Sequence, residues 1–162
     1  MQNTVNPRPM ATRIVGIDFG MARFGIAISD ERKIIATPLQ VIKAHKKSED
    51  TANTLLAFLQ DHASSNRYEI ESIVIGLPLL MSGKKGLLAD EVHHFIGLIQ
   101  QLCTIPIITW DERLTSVQAE RSLRESNMTR KKRTAYVDTV AATIILQSYL
   151  DHKCLKEETY NH

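Results

Sequence analysis

The chain has 162 residues, a length that suits one domain with its own hydrophobic core. Charged residues make up 23% of it and apolar residues 43%, which excludes fibrous and disordered classes. No apolar run reaches the length of a membrane span, and residues 1–12 contain no signal-like stretch, so we expect a cytoplasmic protein without a membrane partner. The formal net charge of +2 neither requires nor excludes a polyanionic partner.

Three strands are predicted in the first part of the chain. Apolar and β-branched residues favour strands at residues 13–19 and 24–29, and the short turn between them, which contains Gly20, makes the pair a hairpin. A third strand is predicted at residues 33–42, where Pro38 indicates an edge or a bulge. The chain is therefore expected to open with three antiparallel strands.

The remainder of the chain alternates helices and strands. Apolar residues recur at helical spacing in two segments, first Leu55, Leu56, Leu59 and Ala63, then Leu88, Val92, Phe95, Ile96 and Ile99. Each segment precedes a predicted strand, at residues 72–77 and 106–110. Thr115 and Gln118 fit a capping box for a short helix, and an apolar stripe from Val137 to Leu150 predicts a final one. Because parallel strands need a covering crossover, this order predicts an α/β domain with a mixed five-stranded sheet and helices on both faces.

Three acidic residues stand at positions that a core would not favour. Asp18 interrupts an apolar strand, Glu112 follows the last strand directly after Asp111, and Asp138 borders the apolar stripe of the final helix. Function in open α/β sheets gathers beyond the carboxyl ends of the parallel strands, so we expect these carboxylates to converge there. Like charges about 4 Å apart repel by about 4 kcal/mol at an effective dielectric near 20. A divalent cation answers that repulsion, and oxygen ligands favour Mg²⁺ or Mn²⁺, the ions of phosphodiester hydrolysis.

A purely structural interpretation stays open at each of these positions. Asp18 can form a buried ion pair with Arg23 or Arg113, and Asp138 can simply cap or solvate its helix. The basic runs at residues 84–85 and 130–133 can bind a phosphate backbone or form ordinary solvated turns.

Four blocks of the sequence resemble the YqgF family. The blocks are Val15-Gly16-Ile17-Asp18-Phe19-Gly20 with Arg23, Gly25 and Ser29-Asp30; Gly76-Leu77-Pro78-Leu79 with Met81, Gly83 and Gly86; Asp111-Glu112-Arg113-Leu114-Thr115-Ser116; and the run from Lys131-Lys132 through Asp138 to Leu150. Leu80 and Ser82 depart from the family, which usually carries Asn and Asp there. The blocks predict one nuclease domain at residues 13–150 with flexible termini at residues 1–12 and 151–162.

The resemblance implies a ribonuclease H-like fold related to the RuvC resolvases, and a phosphodiester-cleaving endonuclease that matures the 5′ end of pre-16S ribosomal RNA. By position, Asp18, Glu112 and Asp138 match the family's catalytic and metal-binding residues, with Mg²⁺ or Mn²⁺ as the cofactor. The side chains expected to bind the substrate are Arg23, Lys84, Lys85, Arg113, Lys131 and Lys132. The expected partner is nucleic acid, either pre-rRNA in ribosomal precursor particles or branched DNA.

Three alternatives accompany this prediction. One is the resolution of Holliday junctions, and another is a noncatalytic module that binds nucleic acid. Asp18 and Gly20 in a strand-turn-strand setting also resemble the first phosphate motif of actin-like and sugar-kinase ATPases. The length of the chain argues against these ATPases, because it leaves no residues for their second lobe.

Overall fold

The computed structural model describes residues 7–78, 86–114 and 130–161, and the side chains of residues 7–78, 86–113 and 139–161. The elements within these ranges are β1 (Ala11–Asp18), β2 (Arg23–Ser29), β3 (Ala36–Lys43), α1 (Ser48–Ser65), β4 (Tyr68–Leu77), α2 (Leu87–Leu102), β5 (Ile107–Asp111), a 3₁₀ turn (Glu112–Leu114) and α3 (Arg130–Tyr160). The strands and long helices confirm the predicted order. The short helix predicted from Thr115 lies outside the described residues.

The five strands form one mixed sheet in the order β3-β2-β1-β4-β5. β1 is antiparallel to β2 and parallel to β4, β2 is antiparallel to β3, and β4 is parallel to β5. The predicted α/β fold is thereby confirmed. Pro38 lies on the edge strand β3, and the pairing with β2 shifts register between Ile26 and Ala27, as the proline indicated.

Helices cover both faces of the sheet. Successive residues of each strand point to opposite sides, and because the central strands are apolar on both sides, each face needs a covering helix. Val15 and Ile17 of β1 belong to the core beneath α1 and α2, together with Leu59 and Phe95. Ile14 belongs to a second core beneath α3, which is built from Val74, Ala141, Ala142, Ile145, Leu146 and Leu150 among others.

The path of α3 over the sheet follows from two contacts. Gln147 accepts a hydrogen bond from the Ala36 N–H at 2.9 Å. Ala36 pairs with Ser29, and Ser29 Oγ accepts the Ile14 N–H, so Gln147 lies at the level of Ile14 in β1. Further along β1, a Cβ atom on Gly16 would lie 2.6 Å from Leu146 Cβ and 3.2 Å from the Ala142 carbonyl. Residues before Ala142 therefore lie toward the carboxyl end of β1.

Both predicted flexible termini contain regular structure. Ala11 and Thr12 belong to β1, and α3 continues through residues 151–160. In the described part of the chain, no helix is both long enough and apolar enough to cross a bilayer.

Candidate active site

Asp18 is the last residue of β1 and is only 5% exposed. The alternation of the strand places it on the same face as Ile14 and Gly16, the face that α3 covers. A buried carboxylate is stable only where neighbouring groups compensate its charge. Its position at the carboxyl end of a central strand is where ligands of open α/β sheets bind.

Glu112 reaches this same face from the next strand but one. Ile17 pairs with Ile75, so Asp18 comes level with Gly76, and Gly76 in turn pairs with Trp110 of β5. A Cβ atom on residue 76 would lie 2.7 Å from Glu112 Oε1. The Glu112 carboxylate therefore stands directly over Gly76. Since neighbouring strands are about 4.8 Å apart, the structure brings Asp18 and Glu112 to adjacent positions.

Asp138, the third predicted carboxylate, lies in α3 four residues before Ala142. Its side chain is outside the described set, so the predicted trio stays a prediction. Among the side chains that are described, no three His, Cys, Asp or Glu residues form a group that could hold a metal ion.

Asp111 and Glu112, neighbours in sequence, have different surroundings. Asp111 pairs with Leu77, whose side chain belongs to the core on the opposite face, and its carboxylate accepts hydrogen bonds from Arg113 Nη2 at 2.7 Å, from Nε at 3.1 Å and from the backbone N–H at 2.9 Å. The Arg113 side chain holds the pKa of Asp111 below its usual value, against the opposing effect of burial. Of the two acidic residues, only Glu112 thus stands over Gly76.

The predicted basic residues divide into those whose side chains are described and those whose are not. Arg113 donates to Asp111, and its side chain is 35% exposed. Arg23 begins β2, and a Cβ on Gly20 would clash with the Arg23 carbonyl, so this turn requires glycine. Lys84 and Lys85 lie outside the described residues, as do Leu80 and Ser82. Lys131 and Lys132 lie in the first turn of α3, and their side chains are outside the described set.

Trp110 is a neighbour of the site that the sequence analysis missed as a functional candidate. It lies on the α3 face beside Gly76, and its indole N–H donates to Ser148 Oγ at 3.1 Å. Its ring contacts Tyr149 at 5.6 Å and His152 at 5.3 Å between centroids. The signal was available, since Trp110 alternates with Ile108 on a strand that leads directly into Asp111 and Glu112.

A mixed five-stranded sheet with helices on both faces defines the class as the ribonuclease H-like fold of RuvC-type resolvases. Thermus thermophilus RuvC, solved in complex with a Holliday junction substrate, superposes with a TM-score of 0.51 and 14% identity, covering 88% of this chain and 96% of that one. At this level of identity the likeness shows the fold alone.

Residues 12–152 match the model of the RuvX family, described as a Holliday junction resolvase, and the chain belongs to that RuvX/YqgF family. A protein of Protochlamydia amoebophila named "Putative pre-16S rRNA nuclease" is 62% identical over 91% of this chain and 98% of its own length. A protein of the same name from Halothermothrix orenii is 39% identical over 87% of this chain and 96% of its own. The predicted enzyme class, a phosphodiester-cleaving endonuclease, is confirmed at the level of the family.

Proposed function

We propose that this protein is a divalent-metal-dependent endonuclease that cuts structured nucleic acid and matures the 5′ end of pre-16S ribosomal RNA. The observation that carries the proposal is the adjacent placement of Asp18 and Glu112 on the α3 face, where Glu112 stands over Gly76. The names of the relatives support the RNA substrate. If pre-16S rRNA is the substrate, the enzyme acts in the cytoplasm, on ribosomal precursor particles.

The position of Asp138 in α3 supports its assignment as the third carboxylate. Ala142 lies against Gly16, and the residues of α3 that precede Ala142 in sequence lie progressively closer to the carboxyl end of β1. Asp138 is four residues, or about one helical turn, before Ala142. The helix thus brings this residue toward the strand end that bears Asp18.

The donor set fits a hard divalent cation. Asp18 and Glu112 supply carboxylate oxygens, as Mg²⁺ and Mn²⁺ require, and the absence of a Cβ at Gly76 leaves the space that the Glu112 carboxylate occupies. Bound by Asp18, Glu112 and Asp138, such an ion would supply activation of water and stabilisation of the leaving oxygen of a phosphodiester.

The chain's own residues have definite tasks in this scheme. Burial beneath α3 restricts the Asp18 carboxylate to one region of the site. The 3₁₀ turn that follows β5 directs Glu112 over the sheet, and the Asp111–Arg113 pair, with its additional backbone hydrogen bond, fixes that turn. Arg23, at the hairpin beside Asp18, is assigned to a substrate phosphate.

The decisive experiment compares cleavage and binding by the same variants. Purified protein with Mg²⁺ or Mn²⁺ is given an RNA that carries the 16S leader. We expect Asp18→Asn, Glu112→Gln and Asp138→Asn each to lower the cleavage rate by about 100-fold or more, with binding by gel shift unchanged. Asp61→Asn, which removes an exposed carboxylate from α1 on the opposite face of the sheet, is the control and should retain full activity. Equal cleavage by the wild type, Asp18→Asn and Asp138→Asn would refute the mechanism.

A four-way DNA junction in the same assay tests the second candidate, which the description of the RuvX family favours. Preferential cutting of the junction would identify a resolvase and contradict the RNA assignment. Binding of either nucleic acid without cleavage, in wild type and variants alike, would identify a noncatalytic module.

A further inference from the structure

We propose that a groove beside the carboxylates receives an unpaired nucleotide of the substrate strand, an inference that rests on the proposed nuclease function. The groove lies between β5 and the C-terminal half of α3, and we call it the aromatic groove. It is lined chiefly by Trp110, Tyr149, His152, Lys153, Lys156 and Tyr160.

The aromatic groove offers rings that are held in place at one end and accessible at the other. The Trp110 indole is oriented by its hydrogen bond to Ser148 and by the edge-on ring of Tyr149, with an interplanar angle of 83°. His152 is exposed beside Trp110, and Tyr160 is 90% exposed. Large aromatic surfaces that stay in contact with solvent are the groups on which nucleobases stack.

The lysines on the groove favour a partner that carries negative charge as well as flat apolar surface. Lys153 and Lys156 lie on the groove, with Glu157 as an acidic neighbour. Lys153 Nζ is 3.5 Å from Glu71, which leaves the exposed Lys156 as the ammonium group more available to a phosphate. Rings interleaved with lysines are typical of surfaces that bind single-stranded nucleic acid.

One end of the groove, at Trp110, lies next to the candidate active site. Trp110 pairs directly with Gly76, over which the Glu112 carboxylate stands. From Trp110 the groove follows α3 away from the carboxylates toward Tyr160. A strand bound at the carboxylates can thus continue into the groove, provided that its bases are unstacked from a partner strand. The geometry therefore points to a substrate with a single-stranded segment next to the scissile phosphate.

The only tryptophan in the chain is Trp110, so its fluorescence reports on the groove alone. Wild-type protein in EDTA, which prevents cutting, is titrated with a short single-stranded oligoribonucleotide and with the duplex of the same sequence. We expect saturable quenching by the single strand and binding of the duplex that is about tenfold weaker or more. Undetectable quenching, or equal quenching by both, would overturn the proposal.

Two variants and a control assign the signal to the groove. Tyr149→Ala should weaken single-strand binding by about tenfold, and Lys156→Ala by a smaller factor with a shallower salt dependence. Because Lys156 is exposed, its variant keeps the test valid even if Tyr149→Ala lowers stability. Lys47→Ala removes an exposed lysine from the start of α1, on the other face of the sheet, and should leave binding unchanged. Equal weakening by Lys156→Ala and Lys47→Ala, with Tyr149→Ala unchanged, would reduce the effect to net charge and contradict a groove site.

Two further outcomes separate this inference from the proposed function. Cleavage of leader RNA without quenching would refute nucleotide binding in the aromatic groove and support the nuclease activity. Quenching without cleavage would support binding in the groove and refute the nuclease activity. A shift of Trp110 emission with protein concentration alone would instead identify a second copy of the chain as the occupant, and would overturn the proposal.

Discussion

Glu112 stands so close to Gly76 that a Cβ atom on residue 76 would lie 2.7 Å from its Oε1 atom and 2.6 Å from Ile145 Cδ1. Gly76→Ala must therefore displace the carboxylate, the isoleucine or both. We expect the cleavage rate to fall by at least tenfold, because a displacement of about 1 Å at a catalytic group is enough for such a loss. Because Ile145 Cδ1 is the far end of a flexible side chain and can turn aside, the free energy of unfolding should fall by about 1 kcal/mol or less.

Gly97 provides the matched control, since a Cβ atom at that position of α2 meets nothing within 4 Å. Gly97→Ala should leave cleavage unchanged and raise the free energy of unfolding by about 0.5–1 kcal/mol through helix propensity. Cleavage kinetics and thermal unfolding of both variants are the measurements. Full activity in Gly76→Ala would mean that the position of Glu112 does not matter to the reaction.

The fold could be predicted from the sequence because each element carries its own periodicity. The β-branched runs mark the strands, helical spacing marks α1 and α2, and Pro38 marks an edge. The C-terminal part of α3 gave no such signal. Its apolar stripe ends near Leu150, and most side chains of residues 151–160 are exposed, so no core periodicity distinguishes this helical extension from a disordered tail.

The candidate site could be predicted only in part. A carboxylate among apolar neighbours identified Asp18, and the end of a strand identified Glu112. The role of Gly76 could not be predicted, because the space that a glycine leaves depends on which side chain another strand brings above it. Likewise the sequence analysis left open a pair between Arg113 and Asp18, and the pair of Arg113 with Asp111 depends on the geometry of the 3₁₀ turn.

Gln147 connects α3 to the β2–β3 connection through two hydrogen bonds. Its Oε1 accepts the Ala36 N–H at 2.9 Å, and its Nε2 donates to the Ile34 carbonyl at 2.8 Å. Gln147→Ala removes both hydrogen bonds and leaves the N–H of the buried Ala36 without its acceptor. We therefore expect the free energy of unfolding to fall by about 1–2 kcal/mol. Denaturant unfolding measures this loss, and Gln101→Ala, at an exposed position of α2, should change it by less than about 0.5 kcal/mol. Equal effects of the two substitutions would contradict the bridging role.

Asp30 should contribute a pH-dependent part of the stability. Its Oδ1 accepts the backbone N–H groups of Ile34 at 2.7 Å and Ile35 at 3.0 Å, and the Ile35 hydrogen bond is the main cause that holds the Asp30 pKa below 3.8. A depressed folded-state pKa stabilises the fold at pH values above the unfolded-state pKa, and this contribution is lost as the pH falls through the folded-state value.

Asp30→Asn keeps an oxygen acceptor but removes the charge that strengthens both hydrogen bonds. The variant should therefore be less stable than the wild type by about 1 kcal/mol near pH 7, and the difference should shrink steadily as the pH falls below 3.8. Chemical unfolding at a series of pH values gives this difference directly. Asp61→Asn, which removes an exposed carboxylate from α1, should cost less than about 0.5 kcal/mol at neutral pH. A stability difference for Asp30→Asn that stays constant down to the acid limit would show that the charge of Asp30 plays no part, because only an ionised carboxylate can lose its contribution on protonation.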